Sequence, residues 1–402
     1  MIDTKEMDIS VFPDGPVGFD GSHYLYSKGE RLYLDNLANH FKSVTIFTFA
    51  LRTGTIMYEG VSHSAFTAEN LTVHELPFSK KLNPSVFEKL LHFIKLFFIM
   101  LRHVKKFDIN YLFLPSYISA IAWLVGKLKG IPHIVYVADD WVAASESMFK
   151  WEQHKQSLFY RIYTKVSAIL ERRIGSSARF AVTAGGVLRQ KFEDFGIHAY
   201  ETTPRMTLTK EDQFFREDTF TDGSFTCLHV ASLIHDKAQH DLIVAFKDVV
   251  DQYPYAKLIM IGEGPEHTKL VKLSRELNLS ESILFKGYVI DEAALYKLYR
   301  ASDMFVLSSI TEGFPRVLYE AMAASLPIVT TNVGSIPHLM KDTVNALVVK
   351  PRIPKDLAVA MIKMASQNDL RKGIIKQEQE TMKGVFERMN KSQISDLVVK
   401  HF

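Results

Sequence analysis

Cysteine is almost missing from this sequence of 402 residues, which contains it once, at Cys227. A single cysteine forms neither an internal disulfide bond nor a cysteine-based zinc site. The residue lies in the apolar segment TCLHVAS, so we predict that its side chain is buried in the core. A chain without disulfides suits a reducing compartment, and the expected location is the cytoplasm.

Long apolar runs are missing as well. The longest, LFFIML, extends from Leu96 to Leu101, whereas a membrane-spanning helix needs about 20 such residues. The N-terminal segment MIDTKEMDISVF begins with polar residues and has no signal-peptide pattern. We therefore expect a protein that is not integral to a membrane, although its surface remains free to bind one.

An excess of charge of one sign is also absent. The chain has 48 Lys and Arg against 45 Asp and Glu, a net charge of +3, which gives no support for a nucleic-acid partner. Hydrophobic residues make up 47% of the chain and charged residues 23%, as in globular proteins with a large core. At roughly 100–200 residues per domain, the length predicts two domains.

Short apolar segments alternate with helix-length segments through most of the chain. Such alternation predicts parallel sheets covered by helices, an α/β fold. The polar stretch 207–224 interrupts the pattern and is interpreted as a linker. We predict Rossmann-like domains at 1–205 and 206–380, and a C-terminal helix, 381–402, that folds back to the first domain. The predicted strands are 8–12, 43–49, 71–77, 111–116, 133–138, 179–184, 226–232, 257–262, 283–289, 304–309, 327–331 and 346–350.

The segment 304–338 carries the most chemical information. A predicted buried strand ends at Ser309, a loop with Glu312 and Gly313 follows, and Pro315 suits the first turn of the next helix. The N–H groups and the positive dipole end of a helix start form a phosphate-binding site. A glycine at this point lets the backbone approach a ligand closely.

Two glutamates accompany that helix start, Glu312 before the helix and Glu320 within it. Carboxylates disfavour a neighbouring phosphate but accept hydrogen bonds from sugar hydroxyls. Both residues therefore suit a ligand that carries a diphosphate between two sugars. Each also has a plainer explanation, since Glu320 suits a solvated helix position and Glu312 a negative charge near a helix N-terminus.

The residues around these glutamates resemble the retaining glycosyltransferases of family 4. The E-x7-E motif of that family has the form EGFPxxxxEAMAxGxPIVxTxxGGxPE, and this sequence has EGFPRVLYEAMAASLPIVTTNVGSIPH. The similarity continues upstream through VASLIHDKAQHDLIVAFKDV, LIMIGEGPEHTKL and LFKGYVIDEAALYKLYRASDMFVLSS. It covers about residues 225–350 closely and the first half in outline. It implies a GT-B fold, in which two Rossmann-like parallel-sheet domains face each other across a cleft.

The resemblance also implies a function. A sugar would pass, with retained anomeric configuration, from a nucleotide diphosphate sugar (UDP- or GDP-linked) to a hydroxyl of a glycan or lipid-linked glycan in cell-surface polysaccharide synthesis. Neither a cofactor nor a metal is expected, because lysine and helix N–H groups stabilise the leaving group in this fold. A GT-B-like sugar-nucleotide epimerase and a non-catalytic nucleotide-sugar-binding subunit remain alternatives. A dinucleotide oxidoreductase is disfavoured, since no G-x-G-x-x-G follows the first strand.

By the same resemblance, most of the donor site lies in the second domain. The predicted catalytic residues there are Glu312, which faces the transferred sugar, and Lys237, which neutralises the leaving diphosphate as a compact cation. Ser232 stands where many members of the family have arginine, so one phosphate ligand is absent. The predicted donor-binding residues are Glu320, Gly313, Phe314, Pro315, Gly262, Gly264, Gly287, Tyr288, Ser232 and Gly21.

Two segments of the first domain complete the predicted site. The glycine-rich stretch 13–30, with Gly21, suits a flexible loop over the ligand or a mobile surface loop. Asp139, Asp140 and Trp141 follow a predicted strand, at a place where many members of the family have histidine. Asp140 is the candidate base and the other two are candidate acceptor contacts. The alternative is that one aspartate caps a helix.

A basic and apolar helix is predicted over 84–107. Ser85 and Glu88 form a capping box at its start. A helix of this composition either lies in a membrane interface or covers a sheet with a solvated basic edge. We predict peripheral membrane contact through 85–106, at the inner face, with the sheet-covering role as the alternative. The basic residues of the stripe are Lys89, His92, Lys95, Arg102 and Lys106.

Overall fold

The computed structural model of the chain describes residues 3–52, 63–77, 86–104, 107–142, 158–202, 208–220, 225–313, 315–389 and 393–402. The chain divides into two compact units, residues 1–205 together with 391–402, and residues 206–390. Each unit is built on one β-sheet with helices packed against it. The α/β class predicted from the sequence is confirmed.

The sheet of the first unit has ten strands, in the order β10-β9-β8-β7-β1-β4-β2-β3-β5, with β6 also paired to β4. Apart from β3, which pairs antiparallel with β2 and β5, the strands are parallel. The strands are β1 (Asp8–Phe12), β2 (Val17–Phe19), β3 (Tyr24–Ser27), β4 (Ser43–Arg52), β5 (His63–Ala65), β6 (Leu71–Leu76), β7 (Ile109–Leu114), β8 (His133–Val137), β9 (Ala181–Thr183) and β10 (Ala199–Glu201).

The sheet of the second unit has six parallel strands, in the order β13-β12-β11-β14-β15-β16. The chain leaves β11 toward one edge and returns at β14 toward the other, so the strand order reverses between these two strands. The strands are β11 (Thr226–Val230), β12 (Lys257–Ile261), β13 (Ile283–Phe285), β14 (Met304–Leu307), β15 (Ile328–Thr331) and β16 (Leu347–Val349).

Thirteen α-helices are named here in chain order from the described residues. The first unit has α1 (Lys28–Ala38), α2 (Val86–His103), α3 (Tyr117–Lys129), α4 (Leu158–Ser176), α5 (Gly186–Glu193) and the C-terminal α13 (Gln393–His401). The second has α6 (Gln239–Gln252), α7 (His267–Glu276), α8 (Glu292–Ala301), α9 (Arg316–Ala323), α10 (Ile336–Leu339), α11 (Pro354–Ser366) and α12 (Asn368–Met389).

Successive residues of the second sheet point to opposite faces, and both faces are buried. Cys227 packs with the core that includes α6 and α11, whereas its neighbour Leu228 packs with the core that includes α9 and α12. Both side chains are fully buried, as predicted for Cys227. Burial on both faces explains why these strands are almost continuously apolar, and each buried aliphatic side chain contributes about 1.5–3 kcal/mol.

The C-terminal segment differs from its predicted bounds. The predicted second domain ends at residue 380, but α12 continues without a break to Met389. The segment that belongs to the first unit is correspondingly shorter, 391–402. Its helix α13 buries Ile394 and Val398 against the core that contains α1.

The glycine-rich segment 13–30 was predicted as a flexible loop, and this is wrong in the structure. It forms the antiparallel pair β2 and β3 and the first residues of α1. Gly21 lies in the connecting turn with a φ of +107°, a conformation that favours glycine. The carboxylate of Asp20 accepts hydrogen bonds from the N–H groups of Ser22 and His23, both at 2.8 Å, which fixes the turn.

Candidate functional site

A lysine and a glutamate meet where the strand order of the second sheet reverses. Lys237 ends the 3-10 helix His235–Lys237 after β11, and Glu312 lies in the loop after β14. The Lys237 Nζ is 2.7 Å from the Glu312 Oε1, and the Ser309 Oγ donates to the same oxygen at 2.6 Å. The side chain of Glu312 is only 6% exposed and that of Lys237 is 23% exposed. Parallel sheets bind ligands at such a switch point, so this charged pair is the centre of the candidate site.

The two loops that carry the pair are tied to each other. The Ser308 Oγ donates to the carbonyl of Lys237 at 2.9 Å. The N–H of Ile310 donates to the carbonyl of Asp236 at 2.9 Å. The position of the lysine relative to the glutamate is therefore set by hydrogen bonds between the two loops, as pre-organised sites require.

A third loop, after β15, packs against the same glutamate. Gly334 has a φ of +54°, and a Cβ at this position would lie 1.7 Å from the carbonyl oxygen of Glu312. The Ser335 Oγ donates to the carbonyl of Gly313. Sequence reasoning did not single out Gly334, although a glycine shortly after a strand is a signal of close backbone approach.

Glu320 lies on α9 and is hydrogen-bonded to a buried tyrosine. The hydroxyl of Tyr299, from α8, donates to the Glu320 Oε2 at 2.8 Å. Burial raises the pKa of Glu320, and this effect is opposed by the Tyr299 hydrogen bond and by the charge of Arg316. Burial also raises the pKa of Tyr299 well above its ordinary value. Glu320 is thus oriented by a partner that the sequence analysis missed, and it is not a fully solvated helix residue.

The start of α9 follows the Glu312 loop directly. Pro315 is buried and occupies the N-cap position, and the helix begins at Arg316. Gly313 is exposed at the end of the loop, whereas Phe314 lies outside the described residues. The first N–H groups of a helix have no partners within it, and this helix start is therefore suited to an anion.

Two predicted glycines shape the loop after β12. Gly262 has a φ of +134°, and a Cβ there would lie 1.9 Å from the carbonyl oxygen of Ala231. A Cβ at Gly264 would lie 2.3 Å from the carbonyl oxygen of Leu233. Both glycines therefore allow this loop to pack on the loop after β11, just ahead of Lys237 in the chain.

The remaining predicted residues of the second unit lie in loops at the same edge of the sheet. Gly287, with a φ of +68°, accepts a hydrogen bond at its carbonyl from the N–H of Gly262 at 2.8 Å. The next residue, Tyr288, has a side chain that is 54% exposed. Ser232 is exposed, and its carbonyl accepts from the Gln239 Nε2 at 2.9 Å. The structure thus brings these loops together with the loop of Lys237.

A neutral histidine, also missed by the sequence analysis, lies under the site. His229 is fully buried on β11, with its Nδ1 2.9 Å from the carbonyl of Val306 and its Nε2 3.3 Å from the Gln239 Nε2. These partners suit a ring that donates from Nδ1 and accepts at Nε2. Burial lowers the pKa of His229 to about 4, the hydrogen bond to Val306 opposes this shift, and the charge of Lys237 adds to it.

In the first unit, Asp140 belongs to a cluster of charged groups. The Lys191 Nζ is 2.8 Å from the Asp140 Oδ2 and 2.6 Å from the Glu171 Oε2. Burial raises the pKa of Glu171, although the hydrogen bond and charge of Lys191 act in the opposite direction. The Asp140 Oδ1 accepts from the N–H of Val142 at 2.9 Å. This last contact fits the capping alternative, and the role of Asp140 as a base stays a prediction.

The two neighbours of Asp140 have different surroundings. The Asp139 Oδ1 accepts from the N–H of Asp140 at 2.8 Å. Trp141 is buried at 6% exposure, and its backbone N–H donates to the Glu171 Oε1 at 3.2 Å. Trp141 therefore packs in the core of the unit, and its contact with an acceptor stays a prediction.

The second unit is similar to known enzymes in sequence. Residues 210–381 match the family model of glycosyl transferases group 1. An uncharacterized glycosyltransferase of Methanocaldococcus jannaschii is 29% identical over 180 residues, which is 45% of this chain and 46% of that relative. The chain spans between 33% and 46% of the lengths of three such curated relatives.

Solved structures are similar over the whole chain. HepE of Anabaena, solved in complex with UDP-glucose, has a TM-score of 0.68 at 17% identity, with 99% of this chain and 100% of that chain covered. WaaG, a glycosyltransferase involved in lipopolysaccharide biosynthesis, has a TM-score of 0.65 at 16% identity, with 97% and 99% covered. The GT-B fold predicted from the sequence is confirmed, with a Rossmann-like sheet in each unit.

Proposed function

We propose that the chain is a retaining glycosyltransferase of family 4 that uses a UDP- or GDP-sugar as donor. The observation that carries this proposal is the pair of Lys237 and Glu312, held at 2.7 Å at the switch point of a parallel sheet. This pair lies within the segment that matches the family model of glycosyl transferases group 1. The complex of HepE with UDP-glucose supports a donor of this class.

In the proposed mechanism, the bond between the anomeric carbon and the diphosphate oxygen breaks, and an acceptor hydroxyl oxygen takes its place on the same face. The acceptor hydroxyl releases its proton to water, and the nucleotide diphosphate leaves with an added negative charge. Lys237 and the first N–H groups of α9 stabilise that charge. No metal is needed for this step, because both groups already provide positive charge where the charge develops.

The two glutamates have separate roles in this proposal. Glu320, oriented by Tyr299 at 2.8 Å, accepts hydrogen bonds from the ribose hydroxyls. Glu312 accepts hydrogen bonds from the sugar that is transferred, and it gives up its contact with Lys237 when the diphosphate provides that lysine with a stronger partner. A carboxylate oxygen already aligned by Ser309 needs little reorganisation for this exchange.

The acceptor is proposed to be a hydroxyl of a glycan or lipid-linked glycan in the synthesis of a cell-surface polysaccharide. The structural similarity to WaaG, which is involved in lipopolysaccharide biosynthesis, supports an acceptor of this class. Asp140 and Asp139 remain the candidates for contact with the acceptor. The Asp140 carboxylate is already bound by Lys191. We therefore assign no residue as the base that takes the proton from the acceptor hydroxyl.

The experiment is a thermal-shift titration with UDP, GDP and their sugars, each shift measured against the unliganded form of the same variant. A donor at 100 times its Kd stabilises the unmodified chain by about 2.7 kcal/mol. We expect Glu320→Ala to reduce the thermal shifts that the donor and the free nucleotide each produce. Glu312→Ala should reduce mainly the thermal shift that the donor produces. Glu266→Ala, in an exposed pair with Lys269, is the control. Equal losses for free nucleotide in both site variants would refute the division of roles.

A further inference from the structure

Each of two helices of the first unit, α2 and α4, has a row of exposed apolar side chains along one side. On α2 the stripe is Leu91, Ile94 and Phe98, and on α4 it is Ile162, Val166 and Ile169. The spacing of three or four residues places each set on one side of its helix. Phe98 is 62% exposed and Ile169 is 60% exposed, so these side chains are available for contact with a partner.

The helix α3 lies beside both and has exposed apolar side chains of its own. Its Leu128 is 64% exposed and its Leu124 is 43% exposed. The ring of Phe93 on α2 lies 5.3 Å from that of Tyr117 on α3. At the other side, the Trp123 Nε1 donates to the Ser177 Oγ, just beyond α4, at 3.0 Å. The three helices are therefore neighbours in one layer, and together they are named the three-helix surface.

The opposite sides of these helices are used for packing. Leu96 and Met100 of α2, Val125 of α3 and Ile174 of α4 are fully buried. An ordinary sheet-covering helix buries its apolar side and exposes a polar one. Here apolar side chains occupy the outer side as well, which the packing of the unit alone does not explain. Several exposed apolar side chains on neighbouring helices are typical of a site of interaction.

The charges on the three-helix surface identify the partner. Its exposed cations include Lys95 and Arg102 on α2, Lys127 on α3, and Arg161, Lys165 and Arg172 on α4. None of the six forms an ion pair with a described residue. Among the side chains described on these helices, the one carboxylate is Glu171, which is 1% exposed and paired with Lys191. A chain with 48 basic and 45 acidic residues therefore has one surface whose described exposed side chains are mainly basic and apolar and include no carboxylate.

We propose that the three-helix surface docks on a lipid bilayer that contains anionic lipids. Apolar side chains enter the boundary between headgroups and acyl chains, and the cations beside them contact anionic headgroups. The sequence predicted such contact for 85–106 alone, and the structure adds α3 and α4 to it. Among the described residues no helix is apolar over a length that would cross the bilayer, so the contact proposed is with its surface.

The experiment measures sedimentation with vesicles of phosphatidylcholine alone and of equimolar phosphatidylcholine and phosphatidylglycerol. The unmodified chain is expected to bind the anionic vesicles, and added salt is expected to weaken this binding. The triple variant Arg161→Gln, Lys165→Gln, Arg172→Gln should lower the partition coefficient by about 100-fold, given the contribution of each cation near an anionic surface. The triple variant Ile162→Ser, Val166→Ser, Ile169→Ser should also lower the partition coefficient on the anionic vesicles. The salt dependence of its binding should be the same as that of the unmodified chain.

A matched control removes three exposed lysines of the second unit, through Lys269→Gln, Lys272→Gln and Lys372→Gln. This control should bind as the unmodified chain does. Equal binding to both kinds of vesicle, no binding by the unmodified chain, or an equal effect of the control would overturn the proposal. Because the α4 variants leave the loops around Lys237 unchanged, their thermal shifts with nucleotides test the proposed function separately.

Discussion

Single residues of the candidate site are held by contacts that come from distant parts of the chain. Lys237 and Glu312 are 75 residues apart and meet at 2.7 Å, and Tyr299 orients Glu320 from a different helix. The E-x7-E motif marked both glutamates, and the similarity upstream of it marked the lysine. Tyr299 and Ser309 were not predictable, because their positions beside the glutamates depend on how the helices and strands pack.

The buried histidine under the site gives a prediction on pH. The pKa of His229 is about 4 in the folded protein and about 6.5 in an unfolded chain. The unfolded state therefore binds the proton more strongly, so the stability contributed by neutral His229 is complete above about pH 6.5 and is lost as the pH falls toward 4. The loss is about 2 kcal/mol at pH 5 and about 3 kcal/mol in total.

The measurement is urea unfolding followed by far-UV circular dichroism at pH 7 and pH 5. The variant His229→Gln keeps a side chain that donates and accepts hydrogen bonds but does not titrate. Between pH 7 and pH 5 the free energy of unfolding should fall in both proteins. We expect the fall to be about 2 kcal/mol smaller in the variant than in the unmodified chain. The same fall in both proteins would show that His229 is not the group responsible.

At the scale of helices and strands, the sequence predicted most of the fold. Each of the predicted strand segments overlaps a strand of the structure, because buried parallel strands are marked by short, continuous apolar runs. The strands that were missed, β2, β3, β5 and β10, have three or four residues each. Such short strands give no periodic signal, and these four lack the longer apolar run that marked the equally short β9, β13 and β16. Gly18 in β2 also favoured the interpretation as a loop.

The loops at the edge of the second sheet lead to a prediction about glycine. In Gly334→Ala the new Cβ would lie 1.7 Å from the carbonyl of Glu312, so the loop of Glu312 has to move. We expect a loss of at least about 1–3 kcal/mol in stability and a weaker shift with donor in the same thermal assay. Gly373→Ala, on α12 with nothing within 4 Å of its Cβ, is the control and should stabilise by about 0.5–1 kcal/mol. Equal shifts with donor in the two variants would contradict the close packing of this loop on the site.

At the scale of the whole molecule, the two proposals use different units. The second unit holds the charged pair within the segment that matches the family of glycosyl transferases group 1. The three-helix surface belongs to the first unit. A transferase that acts on lipid-linked acceptors needs both a nucleotide-sugar site and access to a membrane surface, so the two proposals are compatible although their tests are independent.

In the proposed reaction Lys237 stabilises the diphosphate as it leaves, and the decisive measurement is steady-state sugar transfer by Lys237→Ala. The assay uses saturating acceptor and contains EDTA, because no metal is proposed. A contact that strengthens in the transition state lowers the barrier itself, and its loss costs about 2.7–4 kcal/mol, or roughly 10²–10³ in rate. We therefore expect kcat to fall by about that factor in Lys237→Ala. Lys269→Ala, which removes a lysine that is 74% exposed in its pair with Glu266, should leave kcat unchanged. A Lys237→Ala enzyme with near-normal kcat would show that the leaving diphosphate is stabilised elsewhere.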